Sequence, residues 1–156
     1  RMEIKKASKK YSSQISKLML EDLKNPDKRF PKEMIQKFRE HASVEIITSE
    51  FSNPNLISFL ALENDSFKGF IVGYKKDKYN VYLDYVTGNK RKTKELLLER
   101  FISYCKKEKI KSIITDSFEF FDNYKMLLEN NFQVFKKENI APKLEMFWLR
   151  LKLKRT

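Results

Sequence analysis

Three glycines and four prolines in 156 residues leave few places for glycine-rich loops, long linkers or many tight hairpins. The single cysteine, Cys105, excludes an intramolecular disulfide and a cysteine-based zinc site, gives no sign of an oxidising compartment, and is expected in the core. No zinc-ligand spacing, Walker loop, nucleophile elbow or dinucleotide fingerprint occurs, so no metal is expected and nucleotide hydrolysis is disfavoured. No apolar run approaches the roughly 20 residues that span a bilayer, and Arg1 to Lys6 lacks the apolar region of a signal peptide. The expectation is a cytoplasmic protein without a membrane partner. Internal repeats and low-complexity tracts are also missing.

What is present can build a core. Hydrophobic residues make up 41% of the chain and aromatic ones 13%, with 13 Phe and 7 Tyr, against 35% charged. That length suits one domain, taken as residues 2–154. Lys plus Arg exceed Asp plus Glu by 33 − 21 = 12, a field that attracts phosphates, nucleic acids and acidic surfaces. The clusters are dispersed over Lys5-Lys6, Lys9-Lys10, Lys75-Lys76, Lys90 to Lys94, Lys106-Lys107 and Arg150 to Arg155. The aromatics follow core periodicities and are not interleaved with them, so nucleic-acid binding is expected to be weak, non-specific and salt-dependent.

Periodicity and turn residues divide the chain. Met2 to Ala7 reads as a strand. Ser12 or Ser13 caps a helix with Ile15, Leu18, Met19 and Leu23 on one face, running to about Asn25 and stopped by Pro26-Asp27. Pro31 opens a second helix with a Met34, Ile35, Phe38 stripe and His41 near its end. Val44 to Thr48 fits either more helix or a short strand, and Ser52 to Asn55 closes the segment. Leu56 to Glu63 and Phe67 to Tyr74, joined by Asn64-Asp-Ser66, form a hairpin, and Asn80 to Val86 completes a meander. Thr93 to about Glu108 is amphipathic, with Leu97, Phe101, Tyr104 and Cys105 on one face. A short buried strand, Ile110 to Thr115, follows. Phe120, Phe121, Tyr124, Leu127 and Leu128 define a helix ended by Asn130-Asn131, and Phe132 to Lys136 and Leu144 to Leu153 finish as strands. The order is β-α-α-β-β-β-α-β-α-β-β, an α/β chain around one mixed, mostly antiparallel sheet. A right-handed crossover sets Asn80 to Val86 parallel to Ile110 to Thr115.

The stretch from Tyr82 to Phe101 is the most informative, because an apolar strand runs through a short cationic turn straight into an amphipathic helix. Unpaired N–H groups at the helix start, the positive end of its dipole, and Lys90, Arg91, Lys92 and Lys94 together suit a polyanionic ligand.

This order resembles the GNAT superfamily of N-acetyltransferases over nearly the whole chain. Phe59 to Gly73 is similar to the family's second and third strands, Leu83-Asp-Tyr-Val86 to its fourth, and Phe120 to Phe132 to its "fYeklGF" helix and following strand. The resemblance implies an acetyl-CoA-dependent transferase in which the fourth and fifth strands splay apart. Tyr85, Val86 and Thr87 would then line pantetheine and polarise the thioester carbonyl. Lys90, Arg91, Lys92, Thr93 and Lys94 would hold the phosphates. The chain departs from the family at the acetyl-CoA loop, whose Arg/Gln-x-x-Gly-x-Gly/Ala pattern becomes Asn89-Lys-Arg-Lys-Thr-Lys94 without glycine. The family's tyrosine position holds Leu127 and its glycine position Asn131.

Acetyl transfer requires a base and an acid. Asp84 interrupts an apolar strand and is a candidate base or substrate anchor, or an outward-facing residue of a half-exposed strand. Tyr85 and Tyr124 are candidate acids, Tyr124 also fitting a core stripe. Asp116 is a second carboxylate or a turn residue, and His41 a base or a surface residue near a helix end. The alternatives are a non-catalytic or regulatory GNAT-fold protein with lost CoA binding, and a small basic nucleic-acid-binding protein. The amine acceptor and the oligomeric state are not legible.

Overall fold

The computed structural model describes residues 1–154; Arg155, counted above in the last basic cluster, lies outside them. The chain runs β1 (Met2–Lys6), a single 3-10 turn (Lys9–Tyr11), α1 (Ser12–Asp22), α2 (Lys32–His41), α3 (Val44–Glu50), β2 (Leu56–Glu63), β3 (Ser66–Lys75) and β4 (Asn80–Gly88). It continues through α4 (Arg91–Lys107), β5 (Ser112–Ser117), α5 (Asp122–Glu129), β6 (Gln133–Ala141) and β7 (Leu144–Lys152). The strands make one seven-stranded sheet in the order β1-β2-β3-β4-β5-β7-β6. Every neighbouring pair is antiparallel except β4 with β5, the crossover pair.

Several local expectations change. Val44 to Thr48 is helix, capped by the Ser43 side chain, which accepts from the Ile46 N–H, so three helices rather than two separate β1 from β2. α1 stops at Asp22, before Asn25. α4 begins two residues earlier than its apolar face, at Arg91. Phe120 and Phe121 precede α5 and instead pack with Phe30 and Phe118, ring centroids lying 5.0 to 5.9 Å apart. β6 extends to Ala141 because it pairs with β7 from Leu144 to Arg150.

Tight turns are made without glycine. Asn64 (φ 51°) and Asp65 (φ 64°) form the two-residue β2–β3 turn whose twist matches the strands. α4 and α5 both end in Schellman motifs: Lys109 (φ 60°) with Ile110 N–H donating to Cys105 C=O, and Asn131 (φ 72°) with Phe132 N–H donating to Leu127 C=O. Asn131 thus does the work of the family's glycine. Gly73 serves a different need, since a Cβ there would lie 2.6 Å from Phe101 Cζ. Its absence lets α4 settle onto β3.

One core under α4 and α5 runs from Ile57 and Phe59 through Ile71, Val81, Leu83 and Ile113 to Phe147 and Leu149, around Leu97, Leu98 and Phe101. The opposite face carries two smaller cores. Ile15 and Ile47 of α1 and α3 cover Leu60, Leu62, Phe70 and Val72, while Ile35 of α2 packs with Phe30, Phe118 and Leu144.

Candidate active site

β4 carries the site. Its register against β3 passes from Gly73↔Leu83 to Val72↔Tyr85, so Asp84 is the extra residue of a β-bulge. Two consequences follow. Side-chain parity switches: Val81, Leu83 and Val86 enter the α4 core, while Tyr85 packs against the core under α1 and α3. The strand also bends away from β5, which pairs with it only at Asn80↔Ser112, Val81↔Ile113 and Tyr82↔Ile114. Beyond that point two side chains bridge the gap, Thr115 Oγ1 donating to Leu83 C=O (2.7 Å) and Asn123 Nδ2 to Val86 C=O (3.0 Å). In an extended strand a residue's N–H points to the same side as its C=O, so the Val86 amide faces the opening.

On the α1–α3 face the opening is ringed by carboxylates, three of which are held by tyrosines. Tyr82 Oη donates to Asp116 Oδ2 (2.6 Å), Tyr74 Oη to Glu50 Oε2 (2.6 Å), and Tyr85 Oη to Asp22, which also accepts from Thr87 Oγ1 (2.6 Å). Asp84 has no hydrogen bond among the described residues and is exposed to solvent. The surrounding protein desolvates it and Asp116 and Glu50 repel its charge, His41 opposing weakly, so its carboxyl is pushed up to about 6. Burial also raises Asp116, against the hydrogen bond from Tyr82. Tyr82 and Tyr85 rise through burial and through Asp116 and Asp22 respectively, so both stay protonated.

At the far end of β4, α4 starts at Arg91 with Lys90 at the N-cap in extended backbone and no side-chain cap. The four cations there do not act alike. Lys90 and Lys92 are exposed. Arg91 pairs with Glu129 at the end of α5 and reaches Glu95 (3.7 Å), and Lys94 Nζ donates to Asn123 Oδ1 (2.8 Å). Thr93 is buried and donates to Asn89 Oδ1 (2.6 Å). In this structure Arg91 and Lys94 turn to α5, while Lys90 and Lys92 face solvent.

Of the remaining candidates, Tyr124 is half-buried, edge-on to Phe147 (5.3 Å), and raised by burial. Leu127 is buried in the α4–α5 core. His41 ends α2, exposed, its Nδ1 donating to Lys37 C=O. Three residues of the site had no local signal in the sequence. Asp22 is brought over β4 by α1, Asn123 links Lys94 to Val86 across the opening, and Glu129 meets Arg91; each acts through partners at least 29 residues away. Among the described residues no group of His, Cys, Asp and Glu could hold a metal ion, and no helix is long and apolar enough to cross a membrane.

No protein-family model matches the chain, and no curated protein matches it in sequence. Solved structures do match its shape. The PaiA N-acetyltransferase of Thermoplasma acidophilum, in complex with coenzyme A, superposes with a TM-score of 0.83 at 19% identity over 98% of this chain and 99% of its own. A probable acetyltransferase of Staphylococcus epidermidis gives 0.78 at 16% identity over 99% and 100%. YncA, a putative acetyltransferase of Salmonella typhimurium with its cofactor acetyl-CoA, gives 0.70 at 12% identity over 99% and 95%. At such identities the likeness is one of architecture: this chain has the fold of the GNAT N-acetyltransferases.

Proposed function

We propose that this chain is an acetyl-CoA-dependent N-acetyltransferase acting on a primary amine of a small molecule, peptide or protein. The observation that carries the reading is the divergence of β4 from β5 beside the bulged Asp84, with the uncapped start of α4 at the end of the same strand. Two of the similar structures contain coenzyme A or acetyl-CoA.

The residues present fit such a co-substrate. The unpaired edge of β4 at Val86 offers an amide N–H to pantetheine. The first-turn amides of Arg91, Lys92 and Thr93, the α4 dipole and the exposed Lys90 and Lys92 suit its phosphates. When bound, it would supply an acetyl group activated as a thioester. Asp84, ionised at neutral pH and poised near 6, would take the proton from the acceptor ammonium. The N–H of Val86 would donate to the carbonyl oxygen as charge develops on it, while that of Thr87, one residue further along the strand, faces β3. The new C–N bond forms, the nitrogen gives up its second proton to solvent as the C–S bond breaks, and the thiolate takes a proton from water, Tyr85 or Tyr124. Tyr85 already gives its hydrogen bond to Asp22, and Leu127 offers no proton, so water fits that last role best.

The pairing of Arg91 with Glu129, together with the glycine-free loop, favours a second reading in which the fold has lost efficient CoA binding. Thermal shift separates the two. Acetyl-CoA at a hundredfold its Kd should add about 2.7 kcal/mol of stability, and no shift at millimolar concentration would leave only the second reading. If CoA binds, Arg91→Ala with Lys92→Ala should weaken CoA more than dephospho-CoA where these side chains reach the 3′-phosphate; equal losses would put them on the pyrophosphate.

A further inference from the structure

The face of the sheet that holds Asp84 is graded in charge, and strand register sets the grading. β4, β5 and β7 lie side by side, and three rows of side chains cross them. The row at the start of β5 is Asn80, Ser112 and Lys152. The next is Tyr82, Ile114 and Arg150. The third, where β4 parts from β5, is Asp116 and Trp148 with Asp84 beside them. Tyr82 ties the middle row to the acidic one through its bond to Asp116, and its ring lies 6.5 Å from that of Trp148. Below them Asn80, Lys111, Ser112, Arg150 and Lys152 line a groove of about 640 Å³.

Arg150, Lys111 and Lys152 make no ion pair among the described residues. Two are braced by aromatic rings instead, Arg150 over Phe135 (4.2 Å) and Lys111 over Tyr79 (4.3 Å). Bracing on a ring holds a cation in place without spending its hydrogen-bond donors, so the guanidinium fork of Arg150 stays available to an anion. No residue of this groove is needed for the transfer of the acetyl group itself.

We propose that the groove is the specificity subsite of the acceptor, and that the acceptor is an amine joined through an extended spacer to an anionic group, a carboxylate or a phosphate. The amine sits at Asp84 and Asp116 and the anion at Arg150 and Lys152. Strand rise and the spacing of roughly 4.8 Å between strands set the distance: from Asp116, Arg150 is one strand over and one side-chain step along and Lys152 two steps, so amine and anion stand roughly 8 to 14 Å apart. An α-amino acid, whose own carboxylate adjoins its amine, does not span this distance. An ω-amino acid, or a peptide N-terminus followed within a few residues by an acidic side chain, does.

The inference rests on the transferase reading, but its test does not. Calorimetry on the full chain without acetyl-CoA compares an ω-aminoalkanoate of this length with its carboxamide, the matching ω-aminoalkyl phosphate and the α,ω-diamine. The anionic ligands should bind at least tenfold more tightly than the carboxamide, and whichever of carboxylate and phosphate binds tighter names the natural anion. Arg150→Gln with Lys152→Gln should cut the ratio below threefold. Lys152→Gln alone, at an exposed strand end, should cut it partway with the melting temperature held. A carboxamide or diamine that binds as tightly as the anions, or a ratio indifferent to both variants, overturns the subsite. Thiol release measured on the same panel with acetyl-CoA reports on the transferase reading separately, because a missing thermal shift with acetyl-CoA would sink that reading and leave the binding ratio as it stands.

Discussion

On one face of the sheet a single core runs beneath both halves, and on the other the core is divided. Under α4 and α5, residues of β2, β3 and β4 touch residues of β5 and β7 through Leu97, Leu98, Phe101 and Met126. On the α1–α3 face the core under α1 and α3 stops at Val72 and Phe70, and a separate aromatic one gathers Phe30, Ile35, Phe118 and Leu144. Between them lie Tyr82, Asp84, Asp116 and Trp148. The undivided face holds the two halves of the sheet together across a ladder of only three residue pairs. The divided face leaves a strip where charged groups keep contact with water, which is the condition under which carboxylates survive inside a fold. Cohesion and chemistry are separated onto opposite sides of the same strands.

The largest effect expected from breaking this arrangement is in the undivided core. Phe101 is fully buried, its ring against Gly73. Phe101→Ala should cost about 3–5 kcal/mol in denaturant unfolding. Phe30→Ala, in the divided core, should cost less, and an equal cost would mean that the smaller cores hold the molecule as firmly as the shared one.

Next in size is the removal of the charge in the cleft. As a general base Asp84 contributes about 10²–10⁴-fold, so Asp84→Asn should lose at least the lower figure in kcat/KM for thiol release. The wild-type rate should rise with pH through about 6, because Asp84 must be ionised to act. Glu50→Gln, removing a neighbouring negative charge, should move that limb to lower pH. Stability should go the other way. A carboxyl raised in the folded state holds its proton more tightly than in the unfolded chain, so its contribution to stability is present below about pH 4 and is lost as pH rises to about 6. Asp84→Asn should therefore melt higher than wild type at neutral pH and level with it in acid. A variant that loses both activity and stability would make Asp84 a structural residue.

The smallest effects concern the proton donor. Tyr85→Phe and Tyr124→Phe should each change thiol release by less than tenfold, since Tyr85 is engaged with Asp22 and Tyr124 packs on Phe147. A tenfold loss in one of them, with the fold intact, would make that tyrosine the acid. Leu127→Tyr raises turnover only if the new ring reaches the sulfur.

Read by itself, the sequence determined the order of elements apart from α3, the β2–β3 turn at Asn64-Asp65, the apolar face of α4 and the crossover into a parallel strand. All of these depend on residues close together in the chain, where periodicity and turn preference act directly. Asp84 was legible as an anomaly, a carboxylate in an apolar strand, but the bulge that gives it its place was not, because alternation alone carries β4 straight through it. Tertiary structure decided which way the cations face, since Arg91 and Lys94 answer to Glu129 and Asn123 on α5. It also decided that Asp22 would occupy Tyr85, and that Arg150 and Lys152 would share a face with Asp84 and Asp116. Charge and hydrogen bonding act through space and not along the chain, so groups separated by 30 or 60 residues become a site only when the strands are laid side by side.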